Sequence, residues 1–121
     1  PHGTTLAVLL PHVLAFNVEV ASKKLAECAI AMGIDTSAMT ELEAAQACVL
    51  GIQKLRDDLQ LPDNFKDHGM TATEEDLEKI ADTAEYKNKV GASAGSAPRK
   101  GTRDDFKRIA LDAYNGVKIK F

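Results

Sequence analysis

Residues 1–17 read PHGTTLAVLLPHVLAFN, and this stretch sets the fold class. From Leu6 to Phe16 only Pro11 and His12 interrupt the apolar run. The spacing predicts a helix over about residues 4–16, apolar on nearly all sides. Such a helix belongs at the centre of a helical fold. It is too short for a bilayer, which takes about 20 residues. Pro11 lacks the N–H that would bond the Ala7 carbonyl, so a kink is expected there. Pro1-His2-Gly3 reads as a turn before the helix. His2 and His12 each follow a proline and lie ten residues apart. Ten helical residues advance about 15 Å, whereas imidazole nitrogens sit about 2.0–2.1 Å from a transition metal. The two therefore cannot share an ion, and their spacing misses the i, i+4 arrangement of helical ligand pairs.

Outward from that stretch the pattern stays helical. A second helix is predicted over about residues 21–32, with Leu25, Cys28, Ala29 and Met32 on one face and Gly33 at its end. Thr40 and Glu43 fit a capping box. They open a third helix with the stripe Leu42, Ala45, Val49, Ile52, Leu55 and Leu59, stopped before Pro62. Residues 61–72 read as a connector anchored by Leu61 and Phe65. Thr73 and Asp76 start a fourth helix reaching about residue 86, with Leu77, Ile80, Ala81 and Ala84 facing inward. Residues 90–101, VGASAGSAPRKG, read as a surface loop. Thr102 and Asp105 open a fifth helix carrying Phe106, Ile109, Ala110 and Ala113, ended by Gly116. The tail VKIKF alternates like a strand but is too short to assign. The expected fold is all-α: a compact bundle of about five helices around the central apolar helix, in one domain over residues 1–121.

Composition narrows the function. The 121 residues are 45% hydrophobic and 27% charged, as in ordinary soluble domains, with 5% aromatics and no Trp. The net charge of −3 gives no basic excess for nucleic acid. The short cluster Pro98-Arg99-Lys100-Gly101 reads as a solvated loop. Cys28 and Cys48 fall at apolar helical positions and read as buried thiols rather than a disulfide or a metal motif. A cytoplasmic setting is expected, without signal peptide or membrane span. His12 reads as a structural histidine, hydrogen-bonded at the helix surface or kink, and His68, in Asp67-His68-Gly69, as a solvated turn residue. Glu74-Glu75-Asp76 complements a helix dipole. No spacing supports a Ser/His/Asp triad.

The pattern PHG-x3-A-x-LLPHV-x-x-FN, carried by Pro1, His2, Gly3, Ala7, Leu9, Leu10, Pro11, His12, Val13, Phe16 and Asn17, resembles the C-terminal helical half of the iron-containing alcohol dehydrogenases. Leu25-Ala26-Glu27 through Met32-Gly33, Leu61-Pro62 with Gly69, and Pro98-Arg99 before the last helix follow the family's order. The resemblance implies a larger two-domain enzyme that interconverts alcohols with aldehydes or ketones. Its other domain would bind NAD(P), and Fe2+ (or Zn2+) would be held by one Asp and three His. The last of those His is carried over as His2, while His12 is not a ligand. The metal would act as a Lewis acid on the alcohol oxygen during hydride transfer. Ala97 replaces the Asn of the family's Asn-Pro-Arg segment, and Ser93 falls near a position where the family often has Cys.

Because the sequence opens at the His2 motif, the expectation is a fragment that alone holds no stable metal or cofactor and is inactive. The alternative is a stand-alone helical interaction module. Surface left uncovered around His2 and residues 90–101 would favour a homo-oligomer.

Overall fold

A computed structural model describes residues 2–89 and 97–121. It contains α1 (His2–Asn17), α2 (Ser22–Ala31), α3 (Glu41–Asp58), a 3-10 turn (Lys66–His68), α4 (Glu74–Lys89) and α5 (Arg103–Asn115). No strand occurs among the described residues. α2 packs along α3, α4 packs along α5, and α1 joins the two pairs by touching α3 on one side and α5 on the other.

The helix starts are written locally. Thr40 Oγ1 accepts from Glu43 N–H at 3.2 Å. Thr73 and Asp76 bond reciprocally, Thr73 N–H to Asp76 Oδ2 at 2.9 Å and Asp76 N–H to Thr73 Oγ1 at 3.2 Å. Thr102 and Asp105 form the same box at the head of α5. Each cap satisfies donors that the first turn leaves open and contributes about 1 kcal/mol. The ends are equally local. Gly33 takes φ +84°, with its N–H on Ile30 O and the Ile34 N–H on Ala29 O, a Schellman closure of α2. α3 closes the same way on Gln60, a non-glycine at φ 56°, with Gln60 N–H on Asp57 O and Leu61 N–H on Arg56 O.

The core is made of small side chains. Val18, Leu25, Ala29, Ala45, Cys48 and Val49 form one buried cluster. The contact row on α3 is Ala44, Ala45, Cys48 and Val49, which lets α2 approach closely. This corrects the predicted stripe. Leu42, Leu55 and Leu59 stand exposed, because α2 covers the neighbouring row of small residues instead. The same correction applies to Cys28, which faces solvent while Cys48 is buried. Met32, Ile80 and Leu61 are also exposed rather than inward, and Phe65 alone of the two expected anchors is half-buried.

α1 runs unbroken through the fully buried Pro11. It is covered on only part of its circumference. Val8, Pro11, His12 and Asn17 are buried, whereas Leu6, Leu10 and Val13 are 49%, 45% and 41% exposed. Those three occur at i, i+4 and i+7 and so form one bare apolar row.

The tail does not form a strand. It lies on α3, where the Gln53 amide accepts from Ile119 N–H at 2.8 Å and donates to Ile119 O at 3.4 Å. Lys118 spans Asp57 and Asp63 at 2.9 and 3.3 Å. Between α4 and α5, Glu78 pairs with both Arg103 and Lys107, and Arg103 also reaches Asp82 at 2.6 Å. These pairs hold the α4–α5 register at the surface, where each adds little stability.

Candidate metal-ligand helix and the cleft beside it

His2 and Gly3 lie in the first turn of α1 rather than in a separate turn. Pro1 is outside the described residues. The His2 imidazole is exposed and sits in the first turn of α1. His12 follows ten residues later on the same helix, so the distance argument against a shared ion holds. Among the described residues, no group of three or more His, Cys, Asp or Glu side chains gathers in a geometry able to hold a metal.

Beside the N-terminal half of α1 opens a cleft of about 540 Å³. α1 contributes Thr4, Thr5, Val8 and Leu9; the connector contributes Phe65, His68 and Met70; α4 gives Leu77 and Ile80; α5 gives Ala110 and Tyr114. The lining is mostly apolar. Phe65 is fixed by its N–H on Ala113 O at 3.3 Å, and the Tyr114 hydroxyl accepts from Ala72 N–H at 3.5 Å. Gly69, at φ +92°, turns the chain so that the exposed His68 borders the cleft. Sequence reasoning placed His68 in a turn but did not find the cleft. Its walls come from four segments spread over residues 4–114, and no local pattern carries that information.

His12 is buried at 6% exposure. It borders a small cavity of about 180 Å³ shared with Ile109 and Asp112 of α5 and with Ile119 of the tail. No hydrogen bond to its ring is present among the described residues, so its expected structural role rests on packing instead. Burial lowers its pKa below the usual 6.5, Asp112 opposes that shift, and Arg56 adds to it. The folded chain therefore resists protonation of His12 more than the unfolded chain does. The stability this supplies is complete above pH 6.5 and is lost as pH falls from 6.5 through the lowered folded value. Denaturant unfolding should show falling stability over that range, well above the pH where Asp57 and Asp63 titrate, since their pKa values lie below the usual carboxylate value. His12→Gln should flatten this limb of the profile. An unchanged slope would assign it elsewhere.

Arg99 is exposed, as its solvated-loop reading expects, and it also makes specific contacts. Its N–H donates to Asn17 Oδ1 at 3.0 Å, and its Nη1 donates to Phe16 O at 3.1 Å. Its guanidinium stacks 4.2 Å from the Phe16 ring centre. Asn17 Nδ2 in turn donates to Val13 O at 2.9 Å. The Pro98-Arg99 segment thus closes the C-terminal end of α1, where a cation is favoured. Ser93 and the rest of residues 90–96 lie outside the described residues. Residues 91–95, GASAG, spell a GxSxG pattern. The preceding element is helix α4 rather than the strand a nucleophile elbow requires.

No described helix is long and apolar enough to cross a membrane.

Residues 1–114 match the family model for the C-terminal part of the Fe-containing alcohol dehydrogenase family. The 1,3-propanediol dehydrogenase of Citrobacter freundii is 32% identical over 114 residues, 94% of this chain and 28% of that protein. The methanol:N,N-dimethyl-4-nitrosoaniline oxidoreductase of Amycolatopsis methanolica is 47% identical over 66 residues, 54% of this chain and 15% of that protein. Among solved structures, the alcohol dehydrogenase from Oenococcus oeni superposes with a TM-score of 0.80 at 32% identity, over 94% of this chain and 28% of that one. The chain thus spans under a third of the length of these relatives. The motif around His2, the five-helix architecture and these matches agree: the chain belongs to the iron-containing alcohol dehydrogenase family, as its C-terminal helical domain.

Proposed function

We propose that this domain serves NAD(P)-linked interconversion of an alcohol and its aldehyde or ketone, with His2 as one ligand of an Fe2+ or Zn2+ ion. The observation that carries the reading is the position of His2: an exposed imidazole on the first turn of α1, two residues before Thr4 at the wall of an apolar cleft. Imidazole nitrogen suits both metals. One imidazole cannot make a specific site, so the remaining ligands and the nucleotide site belong to the part of the fold that the relatives have beyond the length matched here. When bound, the metal supplies Lewis acidity to a substrate oxygen. This chain's residues would hold the ligand in the first turn of α1, beside the mostly apolar cleft.

The test is a chimera in which this chain replaces the matching C-terminal segment of the Citrobacter freundii 1,3-propanediol dehydrogenase. The expected result is NAD-dependent alcohol oxidation and close to one equivalent of metal per chain. A folded chimera that lacks both would overturn the reading. The chain alone should retain far less than one equivalent of iron or zinc after dialysis.

In the same reading the bare row Leu6, Leu10 and Val13 on α1 is the face that the rest of such an enzyme would cover. The chain alone should therefore self-associate as its concentration rises, measured by sedimentation velocity, and Leu10→Glu should shift it towards monomer. A single monomeric boundary at every concentration would show that this row needs no cover.

A further inference from the structure

A continuous chain of polar contacts ties the C-terminal tail to one wall of the cleft. Pro62, Asn64, Phe65, His68, Gly69 and Met70 form that wall. Asn64, buried at 8% exposure, shapes it. Asn64 Oδ1 accepts from Asp67 N–H at 2.6 Å, within the turn that carries His68. Asn64 Nδ2 donates to Asp63 Oδ1 at 2.7 Å. The other oxygen of that carboxylate accepts from Lys118 Nζ at 3.3 Å. Gly116 lies against the same asparagine: a Cβ there would come within 2.9 Å of Asn64 Cβ. We propose that residues 117–121 are a reversible strap, latched by Lys118, whose docking holds the turn at residues 66–70 in the cleft wall and whose release loosens it.

The strap is built to let go. A chain end is ordered only where it is tied down, and this one is tied at Lys118 and Ile119. Ile119 is half-buried against the α2–α3 core cluster and exchanges two hydrogen bonds with the Gln53 amide, while Val117, Lys120 and Phe121 are exposed. Lys118 and its partners Asp57 and Asp63 each keep more than a third of the side chain in water, so each pair is weak and yields to salt. The wall is equally ready to respond. Residues 66–69 are exposed, and exposed, thinly packed segments open at low free energy. Phe65 is anchored to α5 through its N–H on Ala113 O at 3.3 Å, so the loosening is confined to the turn that follows it. The coupling concerns the wall itself and does not rest on a metal at His2.

The test is hydrogen–deuterium exchange of the 121-residue chain, followed amide by amide by NMR. The Asp67 amide is held by Asn64, and those of His68 and Met70 by Phe65 O, so all three report on the turn. Lys118→Ala should speed their exchange by about fivefold, the scale of one or two exposed ion pairs, and leave Ile80 and Ala81 of α4 unchanged. Lys118→Arg should keep the wild-type rates. Sodium chloride at about 1 M, where the Debye length is about 3 Å, should reproduce Lys118→Ala at the turn. Asn64→Ala should speed the same amides, and adding Lys118→Ala to it should change nothing more, because the relay is already cut. Unchanged rates at the turn in Lys118→Ala would overturn the strap. An equal rise in α4, the mark of general destabilisation, would do the same, as would full additivity in the double variant. Should Asn64→Ala fail to fold, the two Lys118 variants and the salt series decide. None of these readouts passes through His2 or a metal, so the strap and the proposed chemistry fail separately.

Discussion

Val49→Gln should lower the melting temperature of the chain by about 10–20 °C, while Leu55→Gln, on the same helix, should leave it within a few degrees. Val49 is fully buried among Leu25, Ala29, Ala45 and Cys48. A glutamine there loses the apolar transfer energy, carries an amide with no buried partner and adds volume to a close-packed seam. The unpaired amide costs about 1–3 kcal/mol, and overpacking adds about 1–3 kcal/mol. At roughly 3–5 °C per kcal/mol for a domain of this size, the sum accounts for the fall. Leu55 is 55% exposed. Glutamine nearly matches leucine as a helix former, and surface changes of this kind stay within about 0.5 kcal/mol. Thermal melts followed at 222 nm check both. Equal losses at the two positions would mean that Leu55 is inward, as its spacing alone suggests.

That pair of residues also shows what the sequence can and cannot convey. Both belong to one apolar stripe at helical period, and period alone does not say which part of a stripe a neighbour covers. On α3 the covered part is the row of smallest residues, Ala44, Ala45, Cys48 and Val49, because α2 lies closest there. Cys28 and Leu42 were misplaced for the same reason. On α1, an apolar pattern on nearly every side read as complete burial, yet Leu6, Leu10 and Val13 face outward. The helix limits, by contrast, were legible to within about three residues. Thr40, Thr73 and Thr102 act on residues three places away, so the signal and its target are adjacent in the text. Arg99 binds Asn17 across 82 residues, and nothing near either residue announces it.

The proposed site divides along the same line. The motif alone points to His2 as a ligand, while the cleft beside it has no local signal, since it is assembled by tertiary packing. The two histidines of the opening stretch should consequently respond to substitution in different ways. In the active chimera, His2→Ala should reduce metal content and alcohol oxidation together, each by at least ~100-fold, since even residues that only orient a ligand are worth about 10–100-fold. The melting temperature of the helical chain alone should barely change, because His2 is exposed. His12→Gln should do the reverse. It should keep the metal, because His12 lies about 15 Å along the helix from His2 and borders a different cavity. It should alter stability, because the side chain is buried at 6% exposure against α3 and α5 groups. Metal analysis, initial rates and pH-dependent denaturation on the two variants separate the roles. A chimera that keeps full metal occupancy after His2→Ala would remove His2 from the site, however well its motif matches.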